Sequence, residues 1–150
     1  MAIQLRTAEE MYGFCTSRGL GSGNMKSWDL KHFGLIEDML DTNEHVFTAF
    51  EGLHNFKSMT QHDKNFAYVI TSKRIIMAQK RAIGSVLQTV SLNNINDITF
   101  QKKLVMGIIT VDTIKETFNV ATDYETDNRI HKTIQSALDK TRKYGYYKRS

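Results

Sequence analysis

The amino-acid sequence predicts a mainly β domain with helices at both ends. The expected fold is a seven-stranded antiparallel barrel, capped by a C-terminal helix and preceded by N-terminal helices. Between residues 44 and 121, short runs rich in β-branched and aromatic residues recur at intervals of about 10 residues, which is typical of sandwiches and barrels. An apolar stripe at helical spacing follows these runs, and such a helix can cover the open end of a small barrel.

Residues 1–43 are predicted to form a helical extension. Thr7 and Glu10 have the spacing of a capping box, which marks the start of a first helix. Ser27 can cap a second helix that runs to about Leu40 and carries a broad apolar face. This face must pack against another part of the protein, and the strands that follow are the expected partner.

A glycine-rich stretch, residues 19–24, separates these two helices. It lacks the lysine and the Ser/Thr that end a P-loop, and no apolar strand precedes it. A flexible connector is therefore favoured over a loop that binds phosphate.

The middle of the chain contains seven candidate strands. They are Glu44–Leu53, Asn65–Thr71, Arg74–Gln79, Ser85–Ser91, Asn96–Gln101, Met106–Asp112 and Glu116–Ala121. Residues 66–70 are apolar at every position, as a strand covered on both faces requires, and the N-terminal helices are the expected outer cover.

Residues 122–144 are predicted to form one long helix that completes a domain over residues 44–144. Thr122 and Glu125 again have capping-box spacing. Its apolar stripe consists of Ile130, Ile134, Ala137 and Leu138. Residues 145–150 are expected to be a frayed basic tail.

Four stretches of the predicted barrel carry a family resemblance. They are Gly52–Phe56, Asn65–Ile76, Val90–Ile98 and Gly107–Thr113. Their most specific pattern is Thr-x-x-Arg-Ile followed by Ser-Leu-x-x-Ile. Together they resemble the bacterial pleckstrin-homology-like (PH-like) domains of the YokE-like family. The resemblance implies a PH-like barrel and allows a prophage context, but it implies no particular activity because this fold has many functions.

Composition excludes several classes of protein. The chain has 150 residues, a net charge of +4 and one cysteine, Cys15. No apolar run approaches the roughly 18–20 residues of a membrane-spanning helix, and the first residues lack the pattern of a secretory signal. A lone cysteine cannot form an internal disulfide, so a cytoplasmic protein is expected.

Basic turns provide candidate sites for an anionic ligand. These residues are Lys73, Arg74, Lys80, Arg81, Lys102 and Lys103. Membrane headgroups and single-stranded nucleic acid are the candidate ligands, the latter helped by aromatic residues in the tail. Phosphoinositide binding is not favoured, because Phe66 stands where the PH pattern that the resemblance implies would place an arginine.

No catalytic set, metal site or cofactor site is predicted. Cys15 has no evident catalytic partner, and a free cysteine is more often a small buried apolar residue. His54, His62 and Asp63 lie in one predicted loop, but their spacing matches no metal-ligand pattern, so a polar loop is favoured.

Protein contact is the favoured function. The first hairpin carries Leu53, Phe56 and Met59, which form a candidate protein interface. The sequence thus predicts a non-catalytic interaction module that binds an unidentified protein or a second copy of itself, with residues 1–43 as one route to a homo-oligomer. A binder of anionic ligands is the alternative.

Overall fold

The computed structural model describes residues 5–21, 25–103, 106–123 and 126–149, and for residues 127 and 141–149 it describes the backbone only. Its helices are α1 (Ala8–Ser17), α2 (Lys26–Glu37) and α3 (Asp127–Arg149). Its strands are β1 (Val46–His54), β2 (Asn65–Thr71), β3 (Arg74–Lys80), β4 (Ser85–Ser91), β5 (Ile95–Lys102), β6 (Met106–Thr113) and β7 (Thr117–Asp123). A 3₁₀ turn, Leu92–Asn94, links β4 to β5.

All seven strands belong to one antiparallel sheet in the order β4-β3-β2-β1-β7-β6-β5. β1 pairs with β2 along most of its length, but it pairs with β7 only at Leu53 and His54. The sheet therefore curls into a half-barrel whose two outer strands are β4 and β5. The predicted fold class is confirmed, with a curled sheet in place of a fully closed one.

α3 packs into the hollow of this half-barrel, against β1, β2 and β6. The predicted apolar stripe is confirmed, because Ile130, Ile134, Ala137 and Leu138 are all buried. On the flank of the helix, the His131 ring stacks on Phe100 of β5 with 4.7 Å between the ring centroids.

Both ends of α3 differ from the prediction. Thr122 is buried in β7, where it pairs with Gly107, so it is not a helix cap; its proposed partner Glu125 lies outside the described residues. Pairing with β6 extends the strand past the point where the local helix signal begins. At the other end the helical backbone continues to Arg149, past the predicted helix end at residue 144.

The N-terminal helices cover the outer face of one half of the sheet. α1 lies on β1, and α2 lies on β3 and β2. β2 and β3, which have cover on both faces, are buried at nearly every position, whereas β4 and β5 are mostly exposed. The structure thus confirms the outer cover that the apolar pattern of residues 66–70 predicted.

The starts of these two helices differ in chemistry. In α1 the predicted capping box is present, with Thr7 Oγ1 accepting from the Glu10 N–H at 3.1 Å and Glu10 Oε1 accepting from the Thr7 N–H at 2.9 Å. α2 begins one residue before Ser27 and has Met25 at its N-cap, without a side-chain hydrogen bond. Ser27 was therefore the wrong cap, and the helix ends at Glu37 rather than Leu40.

The described part of the glycine-rich connector is packed against β1, so the interpretation as a merely flexible link was wrong there. Leu20 is buried, and its carbonyl oxygen accepts from the Glu51 N–H at 3.1 Å. Gly21 has a φ of +95°, and a Cβ at this position would lie 2.1 Å from the Glu51 carbonyl oxygen. Close backbone approach is what requires glycine here. Residues 22–24 lie outside the described residues.

Candidate binding pocket at the hairpin end

A pocket of about 520 Å³ opens where three separate segments of the chain meet. We call it the hairpin pocket. α2 contributes Trp28, Asp29 and His32, the β1–β2 loop with the first residue of β2 contributes residues 62–65, and the end of β3 with the β3–β4 hairpin contributes residues 79–82. The helix that covers the outer face of the sheet thus also forms one wall of the pocket.

The α2 wall is built from a buried stripe that is half polar. Asp29, His32, Phe33 and Ile36 are the buried residues of this helix, at the spacing of one helical face. His32 joins the helix to the sheet, because its Nδ1 accepts from the Lys80 N–H at 2.8 Å.

His32 is held neutral in this position. Burial lowers its pKa, and the opposing influence of the nearby Asp29 carboxylate is smaller. Since Nδ1 accepts a hydrogen bond, the proton of the neutral ring is on Nε2.

Gln79 fixes the other two walls relative to each other. Its Nε2 donates to the carbonyl oxygens of Asp63 and Asn65, at 2.8 and 3.0 Å. Its Oε1 accepts from Arg81 Nε at 2.8 Å, so the same buried amide also orients the arginine. The Nη atoms of Arg81 have no hydrogen-bond partner within the described parts of the chain and remain open to a ligand.

Charge in the pocket is divided by depth. Asp29 is only 4% exposed, and its Oδ1 is buried with no hydrogen-bond partner among the described residues. Lys64 and Arg81 are exposed, and Lys80 is half-buried. The pocket therefore has a carboxylate at its floor, and its rim carries three cations and the exposed carboxylate of Asp63.

The six basic residues predicted as anion binders fall in three separate places. Lys80 and Arg81 line the hairpin pocket. Lys73 and Arg74 lie at the opposite end of β3, and Lys102 and Lys103 lie at the β5–β6 turn. The structure brings one of the three pairs together with other candidate ligand-binding groups.

Lys73 and Arg74 both bind acidic side chains of their own chain. Lys73 Nζ lies 3.0 Å from Asp41 Oδ2 in an exposed ion pair. Arg74 makes a two-point contact with the buried Glu44 carboxylate, Nε to Oε2 at 2.9 Å and Nη2 to Oε1 at 3.0 Å. Its guanidinium has a clear structural role.

The residues of the predicted protein interface differ in exposure. Leu53 and Phe56 are half-buried, and the ring of Phe56 stacks on His62 with 6.3 Å between the centroids. Met59, at the tip of the β1–β2 loop, is 64% exposed. Ile83, at the tip of the β3–β4 hairpin, is 93% exposed, so the two connections that line the hairpin pocket each carry an exposed apolar residue.

The residues considered for metal binding or catalysis do not converge. His54 is buried and its Nδ1 is 2.9 Å from the Tyr68 hydroxyl, whereas His62 lies in the loop against Phe56. No group of three His, Cys, Asp or Glu in the described ranges could hold a metal ion. Cys15 is buried, and burial raises the pKa of its thiol far above the ordinary value.

Sequence reasoning missed the three pocket residues of α2 and Gln79. Asp29 and His32 share one helical face with Phe33 and Ile36, at i, i+3, i+4 and i+7, and this spacing was the available signal. The large apolar residues of the helix alone define its predicted apolar face, and they do not include the polar part of the stripe.

The order of strands, the curled sheet and the helix in its hollow define a PH-like domain. The model of the bacterial PH domain family matches residues 40–142, and this chain belongs to that family. A comparison with curated proteins finds no match. None of the described helices is long and apolar enough to cross a bilayer.

Solved structures similar to this chain include other PH domains. The Vps36 N-terminal PH domain is similar at 15% identity and a TM-score of 0.49, over 68% of this chain and 84% of that one. A C-terminal domain of an unknown protein from Leishmania infantum is similar at 15% identity and a TM-score of 0.48, over 77% and 98% of the two chains. A structure of the Vav1 exchange factor with its PH and C1 domains matches at 13% identity and a TM-score of 0.43, over 89% and 32%.

Proposed function

We propose that this chain is a non-catalytic interaction module whose protein partner docks at the hairpin pocket. The observation that supports this most directly is the composition of the pocket and its surroundings. A cavity with both donors and acceptors lies beside two exposed apolar tips, Met59 and Ile83. A polar centre beside exposed apolar residues is the usual composition of a protein-docking surface.

The chemistry of the walls supports binding rather than catalysis. His32 uses one ring nitrogen to join α2 to the sheet, and Gln79 uses its amide to hold the loop and Arg81. These groups position the walls. The single thiol of the chain is buried elsewhere and is held in its unreactive, protonated form.

Site-specific photo-crosslinking in the native cell tests this proposal. A photoreactive amino acid replaces Ile83 or Met59 in two variants, and it replaces Lys103, exposed at the β5–β6 turn, in the control. We expect a defined protein adduct from the two hairpin positions and none from the control. Charge reversal at Lys80 and Arg81 should reduce the yield. Equal adducts from all three positions, or none from the hairpins, would contradict the proposal.

A second candidate function is contact with an anionic membrane surface. Lys57, Lys80 and Arg81 adjoin the exposed tips Met59 and Ile83, so cations and apolar side chains extend together. Such a surface can bind anionic headgroups and insert its tips into the interface.

Sedimentation with phosphatidylglycerol vesicles and with phosphatidylcholine vesicles, at low and high salt, separates the two functions. Membrane contact requires binding to the anionic vesicles that weakens as salt rises and that Ile83→Ser reduces. A single-stranded oligonucleotide, measured at the same two salt concentrations, tests nucleic-acid binding in the same way. Absence of binding in both assays would leave the protein partner as the sole function.

A further inference from the structure

We propose that Asp29 is the anchor of the hairpin pocket for a basic side chain, lysine or arginine, that a partner protein presents. This inference rests on the proposed function, because it names the chemistry that the docking site recognises. It starts from the one buried polar atom of the pocket that has no hydrogen-bond partner among the described residues.

That atom belongs to the carboxylate of Asp29. The residue is 4% exposed, and Oδ1 has no hydrogen-bond partner among the described residues. Leaving a buried polar atom without a partner destabilises the fold, and more so when the group is charged. Within the same structure the buried Glu44 carboxylate receives hydrogen bonds from Arg74 and Thr71. Among the buried acids, the fold thus satisfies Glu44 fully, and Asp29 is the one that lines the hairpin pocket and lacks a donor for Oδ1.

The chemistry of a suitable ligand follows from the groups around Asp29. An anion reaching the floor would be repelled by the carboxylate, whereas an ammonium or guanidinium group would supply the missing donors. The Trp28 indole lines the same wall, and indole faces attract cations. Lys31 Nζ lies 4.8 Å from the centroid of this ring, so the indole already makes one cation–π contact within the chain.

The rim adds a second requirement. Lys64, Lys80 and Arg81 outnumber the one exposed carboxylate of the entrance, Asp63, so an isolated cation would meet a net positive charge on approach. A basic residue flanked by acidic residues fits both the floor and the rim of the pocket. Its cation would contact Asp29, and the flanking carboxylates would contact the cations of the rim. The Nη atoms of Arg81 can take one of these carboxylates in a two-point contact. We therefore expect the partner segment to have the residue pattern acidic–basic–acidic.

Short peptides test this inference on the wild-type protein. The probe is acetyl-Glu-Arg-Glu-amide, and its matched control has citrulline in place of arginine, which keeps the shape and removes the charge. Trp28 is the only tryptophan of the chain and lines the pocket, so its fluorescence reports binding without a label. We expect the arginine peptide to bind at least about tenfold more tightly than the citrulline peptide, as a desolvated charge pair does. Equal binding, or no response to either peptide, would overturn the inference.

An Asp29→Asn variant isolates the contact. It should bind the two peptides equally, because the charge pair that distinguishes them is absent. The four affinities together form a double-mutant cycle, which measures the interaction energy between Asp29 and the arginine charge. Since Oδ1 makes no internal hydrogen bond, this variant should be at least as stable as the wild type. A marked loss of stability would mean that Asp29 has a structural partner and would contradict the anchor role.

The two proposals can fail separately. Crosslinks from Ile83 and Met59 without discrimination between the peptides would leave the docking surface in place and remove Asp29 as its anchor. Discrimination between the peptides without hairpin crosslinks would preserve the basic-residue pocket and remove the docking role.

Discussion

Arg74 holds Glu44 by both oxygens of its carboxylate, from the first residue of β3 to a residue just ahead of β1. The two contacts are 2.9 and 3.0 Å long, and the glutamate side chain is fully buried. Arg74 also donates through Nη2 to the Met39 carbonyl oxygen at 2.8 Å, beyond the end of α2. One guanidinium therefore joins the covering helix, the start of the sheet and its third strand.

Replacing Arg74 by alanine should destabilise the protein strongly. It leaves the Glu44 carboxylate buried without its ionic partner, and breaking such a pair costs about 3–5 kcal/mol. Lys73 provides a neighbouring control, because its ion pair with Asp41 is about half exposed and is worth only about 0–1 kcal/mol. Urea denaturation of Arg74→Ala and Lys73→Ala measures the difference. Similar losses in both variants would show that the buried pair is not a special contributor.

Acidification should reduce stability through the two buried histidines. Burial lowers the pKa of His32 and of His54 below the ordinary value of 6.5, so each binds its proton more readily in the unfolded chain than in the folded one. Their contribution to stability is complete above 6.5 and is lost as the pH falls from there toward their lowered pKa values. The free energy of unfolding should therefore decrease between about pH 7.5 and about pH 5.5.

The His32→Gln variant assigns part of this dependence. It lacks one titrating group, so the stability difference between the wild type and this variant should become smaller as the pH falls. A constant difference across the range would mean that His32 titrates at the same pH in both states.

Two glycines should respond oppositely to alanine. At Gly21 the new Cβ would lie 2.1 Å from a backbone oxygen at a φ of +95°, so Gly21→Ala should cost more than about 2 kcal/mol. Gly34 lies inside α2, and a Cβ there meets no atom within 4 Å. Gly34→Ala should stabilise the protein by about 0.5–1 kcal/mol, because alanine is the better helix former. Thermal unfolding of the two variants compares these effects.

The Cys15 thiol should react only when the N-terminal helices open. It is completely buried, and its Sγ lies 3.4 Å from the carbonyl oxygens of Leu20 and Gly21. Native protein mixed with a chromogenic disulfide reagent should label slowly, whereas urea-unfolded protein should label at once. Gly21→Ala should accelerate the reaction, because it disturbs the segment that covers the thiol. Rapid labelling of the native protein would contradict this packing.

The fold was largely predictable because most of its strands and helices have a recognisable local pattern of apolar residues. The strands at residues 65–71 and 85–91 have the predicted bounds, and the stripe around Ile130 and Leu138 is the buried face of α3. The errors lie where tertiary contacts override local signals. Thr122 has a helix-cap pattern but pairs in a strand, and Gly21 looks like a flexible residue but is fixed by the approach of another backbone segment.

The candidate site was much less predictable, for a physical reason. Its walls come from α2, the β1–β2 loop and the β3–β4 hairpin, which no spacing rule connects. Arg74 and Arg81 are the same residue type and cannot be distinguished in the sequence by type alone. In the structure, Arg74 contacts a buried glutamate, whereas Arg81 lines a cavity. What separates them is the position of their acidic neighbours in space, which the sequence pattern does not contain.

The cover that α1 and α2 provide matters for how the protein is truncated. The family model begins at residue 40, after both helices have ended. A protein truncated at that boundary would expose the apolar outer face of β2 and β3 to solvent. This face includes Ala67, Val69 and Ile76. Such a fragment should aggregate or bind detergent, so the smallest unit suitable for expression includes α1 and α2.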